Sequence, residues 1–444
     1  YQQNDFLLPN QFGVGSLGGV EPVLLACEQA LNGNSGFTGI GCIDLKNAFN
    51  SIDRSFILKS IQNYCPKVEK LFKWAYGSSS DLIIPNFNST PTILKSEVGV
   101  RQGDPFSPFL FSLSFRSIIE SIESNLQNIK VFTYMDDLTI LSNSEKDFNN
   151  CIDIIKQFDS IGIKVNHDKS KYFSIDDINN RSLELLGSII GSDKDKLIFV
   201  ENKIETMKQH LLAIKDLSSQ EMYILLKNCI SNELRHLLRC LSPSILINKW
   251  QDIDKLFRDF IKLNIMGILD IENNNQSWVD QIIHLPLRQG GLGIISYADT
   301  CEIIRSSSID LAETVLIWSD PNNLPSLKKL LSELHQAKQE KLIQSLPNFD
   351  YAKQFIDMNS RISKSWLNNI PKYAKLKLSN QEVATYFKAK TLYIPVAPNT
   401  SSESSALSSP VCPNCGLLYN LNHSESCPYS SNFKIARHEM VKKS

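Results

Sequence analysis

The sequence has no long apolar run. Across its 444 residues, no uninterrupted apolar stretch reaches the roughly 18 residues that suggest a membrane-spanning helix. The opening residues, Tyr1-Gln2-Gln3-Asn4-Asp5, contain neither the basic nor the apolar segment of a secretory leader. These absences predict a folded protein that is not secreted, has no membrane partner and acts inside the cell.

The chain also has little excess of charge. Its formal net charge is -1, which argues against indiscriminate polyanion binding, although a nucleic-acid enzyme needs only a local basic groove. Between Arg361 and Lys390, seven basic residues stand against the single acid Glu382, with aromatic residues between them. Two interpretations stay open: cations that meet phosphates while aromatics stack on bases, or a solvated helical face over a core. The basic residues are Arg361, Lys364, Lys372, Lys375, Lys377, Lys388 and Lys390.

Most of the ten cysteines are scattered in apolar or helical contexts, where a buried free thiol is the ordinary interpretation. Three of them cluster in Cys412-x2-Cys415-x7-His423-x3-Cys427. Three thiols and one imidazole at this spacing are suited to a tetrahedral Zn²⁺ site. The Ser/Pro-rich segment 395–410 is a flexible linker by composition and separates this small module, residues 411–444, from the rest of the chain.

Apolar periodicity divides the remaining chain in two. Residues 1–200 mix strand-like and helical patterns, which predicts an α+β domain. Helical patterns dominate residues 201–285 and 286–394, interrupted by a turn-rich stretch at Leu285 to Gly293. The expected strands are 39–45, 131–133, 138–141, 163–165 and 171–175, and the expected helices are 54–64 (with Asp53 as N-cap), 107–122, 152–158, 221–241 and 244–266.

The candidate chemistry centres on the acidic turn Tyr134-Met135-Asp136-Asp137, which lies between two strand-like runs and is expected at a hairpin tip. Asp44 closes the strand that begins at Gly39. If these strands are neighbours, the three carboxylates meet at one place, and such an all-oxygen site suits Mg²⁺. By themselves, a solvated turn and a strand-end Asp are the ordinary interpretations of the same residues.

Two further blocks accompany the carboxylates. The loop Gly99-Val100-Arg101-Gln102-Gly103-Asp104-Pro105 opens a helix, and its Gln102 and Gly103 either contact a nucleotide and its template base or form a plain helix entry. After the hairpin comes Gly162-Ile163-Lys164-Val165-Asn166-His167-Asp168-Lys169. In this order and spacing, the blocks resemble the reverse transcriptases of non-LTR (LINE-type) retrotransposons, whose pattern has Asp-x-x-Asn-Ala-Phe-Asn-Ser, Gly-Val-x-Gln-Gly-Asp-Pro and an aromatic-x-Asp-Asp box. Gln11-Phe12-Gly13-Val14-Gly15 is similar to the block that precedes the first Asp in that family.

The resemblance implies a right-hand polymerase. Residues 1–200 would be palm and partial fingers, 201–285 a helical thumb, 286–394 a helical linker region and 411–444 a CCHC zinc knuckle with a basic tail. Asp44 and Asp136 would be the principal ligands of two Mg²⁺ ions, with Asp137 as a supporting carboxylate. The chain's CCHC motif also resembles that of elements that carry a restriction-like endonuclease just downstream.

The resemblance also assigns the substrate contacts. Phe49 occupies the steric-gate position, where an aromatic ring crowds the sugar 2′-hydroxyl and favours deoxynucleotides. Gln102 matches a nucleotide- and template-contacting Gln beside Gly103. Lys169 matches a lysine that donates a proton to pyrophosphate, although a surface lysine is the default interpretation.

The implied function is RNA-directed DNA polymerisation in target-primed reverse transcription, with template RNA, a primer or target DNA and dNTPs as partners and a nuclear location. The alternative is an inactive nucleic-acid-binding remnant that keeps the fold. Only ten residues precede Gln11, none of them Lys or Arg, whereas reverse transcriptases hold the triphosphate with basic finger residues there. We therefore expect this chain alone to be weakly active or inactive.

Overall fold

The structure, a computed structural model, describes residues 6–8, 10–86, 90–269, 276–317, 324–359, 367 and 377–393. The chain divides into two compact units. Unit 1 comprises residues 1–196 and 306–324, and unit 2 comprises residues 197–305 and 325–444. The units are described separately below.

Unit 1 is built on a four-stranded antiparallel sheet in the order β4-β5-β1-β6. Its strands are β1 (Gly39–Ile43), β4 (Ile129–Tyr134), β5 (Asp137–Ser142) and β6 (Lys171–Ser174). Residues 10–12 add a short parallel pairing along β4, where Phe12 N donates to Thr133 O at 2.8 Å. The antiparallel pairing of β4 with β5 confirms the predicted hairpin around the acidic turn. The strand β1 ends at Ile43, two residues before the expected Leu45.

Seven helices accompany this sheet, and the apolar residues of the second to the sixth pack into one core with the strands. They are α1 (Glu21–Leu31), α2 (Ala48–Ser51), α3 (Arg54–Tyr64), α4 (Glu69–Tyr76), α5 (Ser107–Asn125), α6 (Glu145–Lys156) and α7 (Ile175–Arg181). Asp53 caps α3 as predicted, since its side chain accepts from the backbone N–H groups of Ser55 and Phe56. Unit 1 therefore mixes helix and sheet, as the sequence indicates.

The other described strands of unit 1 form two small hairpins, and neither was expected from the sequence. One joins β2 (Ser80–Ile84) to β3 (Thr92–Ser96), and the other joins β7 (Leu183–Leu185) to β8 (Ser188–Ile190). The expected strand at 163–165 is wrong: only Val165 forms a bridge, to Leu45. The loop around it instead runs against the end of β1.

From residue 193 onward, the described part of the chain contains helices and no strand. The helices are α8 (Asp193–Ala213), α9 (Ser219–Asn228), α10 (Leu237–Cys240), α11 (Pro243–Phe260), α12 (Ser277–His284), α13 (Tyr297–Leu316), α14 (Leu327–Ser345), α15 (Phe349–Asp357) and α16 (Asn380–Lys390). The π-helical turn Ile261–Ile265 extends α11. In unit 2, buried Asp254 accepts hydrogen bonds from Tyr297 N and Ala298 N, which caps the start of α13.

The expected continuous helix at 221–241 is wrong. The helix α9 ends at Asn228, and a 3₁₀ turn (Ile230–Asn232) follows it. The side chains of Ser231 and Asn232 both donate to Lys227 O, at 2.9 Å each. Side-chain donors of this kind compete for the carbonyl groups that a helix needs, and they favour its termination. Apolar periodicity does not register this competition.

Candidate active site

The three predicted carboxylates lie at one end of the sheet of unit 1. The strands β1 and β5 pair in register from Gly39 with Ser142 to Ile43 with Leu138, so the next step of the ladder places Asp44 beside Asp137. Asp137 also pairs with Tyr134 across the β4–β5 hairpin, which leaves Met135 and Asp136 as a two-residue turn. Neighbouring strands thus deliver the three carboxylates to the same edge.

The turn has the left-handed backbone that tight hairpins need. Met135 has a φ of 56°, and positive φ at the first central residue is typical of the primed turns that match the twist of two-residue hairpins. A non-glycine residue in this region is uncommon and carries a conformational cost. The acidic turn is consequently held in its shape by contacts from outside the hairpin.

The electrostatics of the turn show that the carboxylates interact. Burial, followed by the nearby charges of Asp136 and Asp44, raises the pKa of Asp137 to about 6. Burial also raises the pKa of Asp136, and the charge of Asp44 contributes to that increase. Like charges that disfavour one another are expected where carboxylates share a cation. Among the described residues, no ion pair neutralises any of the three.

The donor set fits a hard cation, whereas the side chains do not enclose one. Three carboxylates supply the oxygen ligands that Mg²⁺ prefers, with room for waters and phosphates to complete the shell. Within the described ranges, no group of three His, Cys, Asp or Glu side chains is arranged closely enough to hold a metal ion. The protein alone therefore supplies part of a coordination shell at this edge.

Asp44 is anchored by the loop that follows α6. The Asn166 side-chain amide donates to Asp44 Oδ2 at 2.7 Å, and Asn166 N donates to Asp44 O at 2.8 Å. Just before β6, the Ser170 hydroxyl Oγ accepts from Asp44 N at 3.1 Å. These contacts fix both the backbone and the carboxylate of Asp44. Lys169 belongs to the same loop, is exposed, and donates its backbone N–H to Asn166 O at 3.2 Å.

Phe49 lies five residues beyond Asp44, in α2, and is half-buried. Its ring stacks on Phe111 of α5, with centroids 4.3 Å apart and planes inclined by 16°. The carbonyl of Phe49 accepts from Val100 N at 2.8 Å, which joins this segment to the loop that contains Gln102. One face of the ring is thus fixed against the core of unit 1.

The loop from Gly99 to Asp104 is held at its ends and open at its centre. Gln102 is exposed, and Gly103, at a φ of +85°, has no atom within 4 Å of the place a Cβ would occupy. The Arg101 guanidinium lies 4.6 Å from the Tyr76 ring centroid, and Tyr76 donates its hydroxyl to Asp104. The loop therefore presents Gln102 and Gly103 to solvent from a fixed base.

The predicted zinc ligands Cys412, Cys415, His423 and Cys427 lie outside the described residues. Much of the basic segment 361–390 does too. Within its described part, Phe387 and Lys390 are fully buried, and Lys390 Nζ donates to Met358 O at 3.2 Å. For α16, the helical face over a core is thus the better of the two interpretations.

Two polar residues at this site were not singled out from the sequence. Asn166 contacts Asp44, and Gln11, which is 3% exposed, hydrogen-bonds the turn at Met135. Each belongs to a block that the resemblance includes. The sequence does not indicate, however, which distant group a polar loop residue will contact. The relevant contacts span 122 and 124 residues.

An antiparallel sheet that carries a two-Asp hairpin turn beside a third Asp on the neighbouring strand is the arrangement of a nucleotidyl-transferring polymerase palm. Residues 3–190 match the family described as "Reverse transcriptase (RNA-dependent DNA polymerase)". This part of the chain is therefore similar to a reverse transcriptase domain, and the match supports the expected class of function for it. Among the described residues, no helix has the length and apolar character to cross a bilayer.

One curated relative agrees with this assignment. The chain is 25% identical over 170 residues to the retrotransposable element SLACS 132 kDa protein of Trypanosoma brucei gambiense, a match that covers 37% of the chain and 14% of that protein. It is also similar to the telomerase of Candida albicans in complex with a TWJ fragment of telomeric RNA, at 12% identity and a TM-score of 0.38, over 77% of the chain and 54% of that protein. Apo telomerase from Candida tropicalis is 12% identical with a TM-score of 0.39, over 74% of this chain and 57% of that protein. Both TM-scores are below 0.5. The chain spans 14% of the length of the SLACS protein.

Proposed function

We propose that this chain is the polymerase portion of a non-LTR retrotransposon protein and extends a DNA 3′-hydroxyl along an RNA template. The observation that carries the proposal is the β1–β5 register, which places Asp44 beside the acidic turn of Asp136 and Asp137. The reverse transcriptase match over residues 3–190 and the retrotransposon relative support it. The reaction would be part of target-primed reverse transcription.

Asp44 and Asp136 would be the principal ligands of two Mg²⁺ ions, with Asp137 as a supporting carboxylate. When bound, the ions supply activation of the attacking hydroxyl and stabilisation of the leaving pyrophosphate. The protein's own contribution is to hold the carboxylates at one sheet edge. Burial first, and then the mutual repulsion of the carboxylates, raises the pKa values of Asp136 and Asp137. An incoming cation would relieve that repulsion.

Other residues around the carboxylates take the substrate roles. Phe49, with one ring face against Phe111, presents an aromatic wall that would exclude a ribose 2′-hydroxyl. Gln102 and Gly103, exposed on their anchored loop, would contact the nucleotide and the template base. Lys169, three residues after the Asn that contacts Asp44, would donate a proton to the leaving pyrophosphate.

The remaining parts follow the same family pattern. Residues 201–285 would form the thumb that clamps the template–primer duplex, and 286–394 a helical linker region. Cys412, Cys415, His423 and Cys427 would bind Zn²⁺ in the small module at 411–444. Template RNA, primer or target DNA and dNTPs would be the partners, in the nucleus.

Primer extension on an RNA template with Mg²⁺ and dNTPs tests the polymerase assignment. We compare this chain, and a version to which basic finger residues have been added, with their Asp136→Asn variants. Asp153→Asn is the matched control because Asp153 is an exposed residue on α6, paired with Lys156. The expected result is weak or no incorporation by this chain alone and clear incorporation by the version with finger residues, unchanged in Asp153→Asn and at least about 100-fold lower in Asp136→Asn. Equal incorporation by Asp136→Asn would overturn the catalytic assignment.

Metal analysis tests the terminal module separately. The parent is expected to retain about one equivalent of zinc after dialysis against a weak chelator, and Cys412→Ser to lose most of it, because a tetrahedral site needs all four ligands. Cys229→Ser is the control, since Cys229 is an exposed thiol far from the cluster in sequence. Zinc absent from the parent would contradict the assignment.

A further inference from the structure

The side chain of Gln11 is buried directly behind the acidic turn. Gln11 Oε1 accepts two backbone hydrogen bonds, from Met135 N at 2.9 Å and from Gly13 N at 2.9 Å. Gln11 Nε2 lies 3.5 Å from Met135 O, a long contact in the opposite direction. Both backbone polar groups of Met135 are therefore met by one amide.

Met135 is the residue of the turn that has a left-handed backbone. The Gln11 amide accepts from the N–H of Met135 and faces its C=O. It can do both only while the Met135 backbone keeps this orientation. A peptide flip at the turn would leave the buried Oε1 without one of its two donors, which is costly in a buried place. The glutamine thus favours one turn conformation over its alternatives.

The backbone of the Gln11 segment is itself fixed. Phe12 N donates to Thr133 O, Thr133 N donates to Asn10 O at 2.9 Å, and the Phe12 and Phe132 rings pack at 5.9 Å. This pairing runs along β4 up to the residue before Tyr134. Gln11 therefore acts on the turn from a rigid base and not from a mobile loop.

Gly13 shows how closely the two segments approach. A Cβ at Gly13 would lie 2.6 Å from Met135 N and 2.7 Å from Met135 Cγ. These distances are shorter than any ordinary van der Waals contact, so a larger residue would displace the turn or the segment. The absence of a side chain at Gly13 is a condition for the contact between Gln11 and Met135.

We infer that Gln11 is a positioning residue for polymerisation: its side-chain carbonyl sets the conformation of Met135 and thereby the direction in which the Asp136 carboxylate points. The inference rests on the proposed function, because Asp136 is the carboxylate whose placement matters. Gln11 touches neither substrate nor metal in this role. Its effect is on how often the turn is correctly arranged.

Two substitutions at Gln11 separate this role from simple core packing. Gln11→Met keeps the shape and removes the acceptor. Gln11→Glu, kept neutral by burial beside the acidic turn, keeps an oxygen that can accept from Met135 N and Gly13 N and a hydroxyl that can donate to Met135 O. Gln62→Met is the matched control, since Gln62 is exposed on α3 and bonds only Glu69 among the contacts described. The experiment measures kcat and KM for dNTP in primer extension, together with hydrogen exchange of a peptide that covers residues 132–138.

For Gln11→Met we expect kcat to fall about 10- to 100-fold while KM for dNTP changes less than about twofold, and the turn peptide to exchange about tenfold faster. Gln11→Glu is expected to restore both quantities to within about threefold of the parent, and Gln62→Met to change neither. If Gln11→Met has the parent's exchange rate and kcat, or if Gln11→Glu loses as much as Gln11→Met, the inference is wrong.

Gly13→Ala provides a second test that leaves Gln11 in place. Its methyl group would press on Met135, so we expect faster exchange of the same peptide and a lower kcat. Gly33→Ala is the control, because a Cβ at Gly33 meets nothing within 4 Å; its φ of +73° adds backbone strain that Gly13→Ala lacks, but no contact at the turn. Exchange of the turn peptide depends only on the turn, so it decides the inference even if the parent chain proves unable to polymerise. Equal incorporation by the parent and by Asp136→Asn would contradict the proposed function and not the role of Gln11 in holding the turn.

Discussion

The side-chain amide of Asn166 donates a 2.7 Å hydrogen bond to Asp44 Oδ2, across 122 residues of sequence. The contact leaves Oδ1 of Asp44 free of this donor and orients the carboxylate from the loop behind it. The same loop carries Lys169, so the residue proposed to act on the leaving group and the residue that orients the proposed metal ligand share one loop.

Removal of this contact is expected to impair polymerisation without unfolding the domain. We expect Asn166→Ala to lower kcat/KM about tenfold or more, because a charge-assisted hydrogen bond typically contributes about 1.5–3 kcal/mol. Asn166→Asp is expected to be worse, since it places a second negative charge beside Asp44. Asn63→Ala, at an exposed position of α3, is the control. Parent-like kinetics in Asn166→Asp would show that the Asp44 carboxylate is not held in this way.

Sugar selection should depend on the ring of Phe49. We expect Phe49→Ala to raise incorporation of ribonucleotides relative to deoxynucleotides by about tenfold or more, because the aromatic wall that excludes the 2′-hydroxyl is lost. Phe49→Tyr, which keeps the ring and its stack on Phe111, should stay near the parent. The measurement is the ratio of kcat/KM for dNTP and rNTP. An unchanged ratio in Phe49→Ala would contradict the gate assignment.

The two glycines of the Gln102 loop should differ in their tolerance of alanine. A Cβ at Gly99, where φ is +69°, would lie 2.4 Å from the Asn50 backbone, whereas a Cβ at Gly103 meets no atom within 4 Å. Gly103→Ala then has only the left-handed strain of about 1 kcal/mol, and Gly99→Ala should lower the free energy of unfolding by about 2 kcal/mol or more. Urea denaturation of both variants checks this. Equal losses would indicate that the loop yields freely at Gly99.

The cap of α3 predicts a stability difference that depends on pH. Hydrogen bonds from Ser55, and a further one from Phe56 N, lower the pKa of Asp53 despite its partial burial. The folded protein therefore stabilises the ionised carboxylate. The resulting stabilisation is fully present above the unfolded pKa near 4 and is lost as the pH falls through the lower folded pKa. At neutral pH, Asp53→Ala should cost about 0.5–2 kcal/mol and Asp53→Asn less. Urea unfolding at pH 7 and pH 3 should show the gap between parent and Asp53→Ala closing in acid; a gap that does not depend on pH would be inconsistent with an ionised cap.

The sequence predicts the acidic hairpin well because period-two alternation on both sides of Asp136 and Asp137 is a local pattern, and its turn residues are local too. The helix α3 and its cap at Asp53 are predictable for the same reason. Other features depend on distant partners. The roles of Gln11 and Asn166 follow from contacts across more than 100 residues. The break after Asn228 follows from side-chain donors that an apolar pattern ignores.

The hairpin β2–β3 was not predicted from the sequence for a different reason. Leu82, Ile83, Ile93 and Leu94 point to both faces of a two-stranded ribbon and are about half exposed or more. Such a run lacks the alternation of polar and apolar residues by which a half-buried strand is recognised. Its β-branched and apolar content alone does not distinguish a strand from a buried helix segment. The pairing of the two strands becomes evident only in the structure.

The contact between Gln11 and Met135 also bears on the order in which this domain folds. The β4–β5 hairpin joins residues close in sequence, so its closure costs little chain entropy, whereas the contact that sets its tip spans 124 residues. The hairpin can therefore pair early, while its tip acquires a single conformation only when the segment at residues 10–13 has docked on β4. During folding or synthesis of this chain, a paired sheet would therefore precede the final arrangement of the acidic turn, and the proposed metal site would be complete only after that docking.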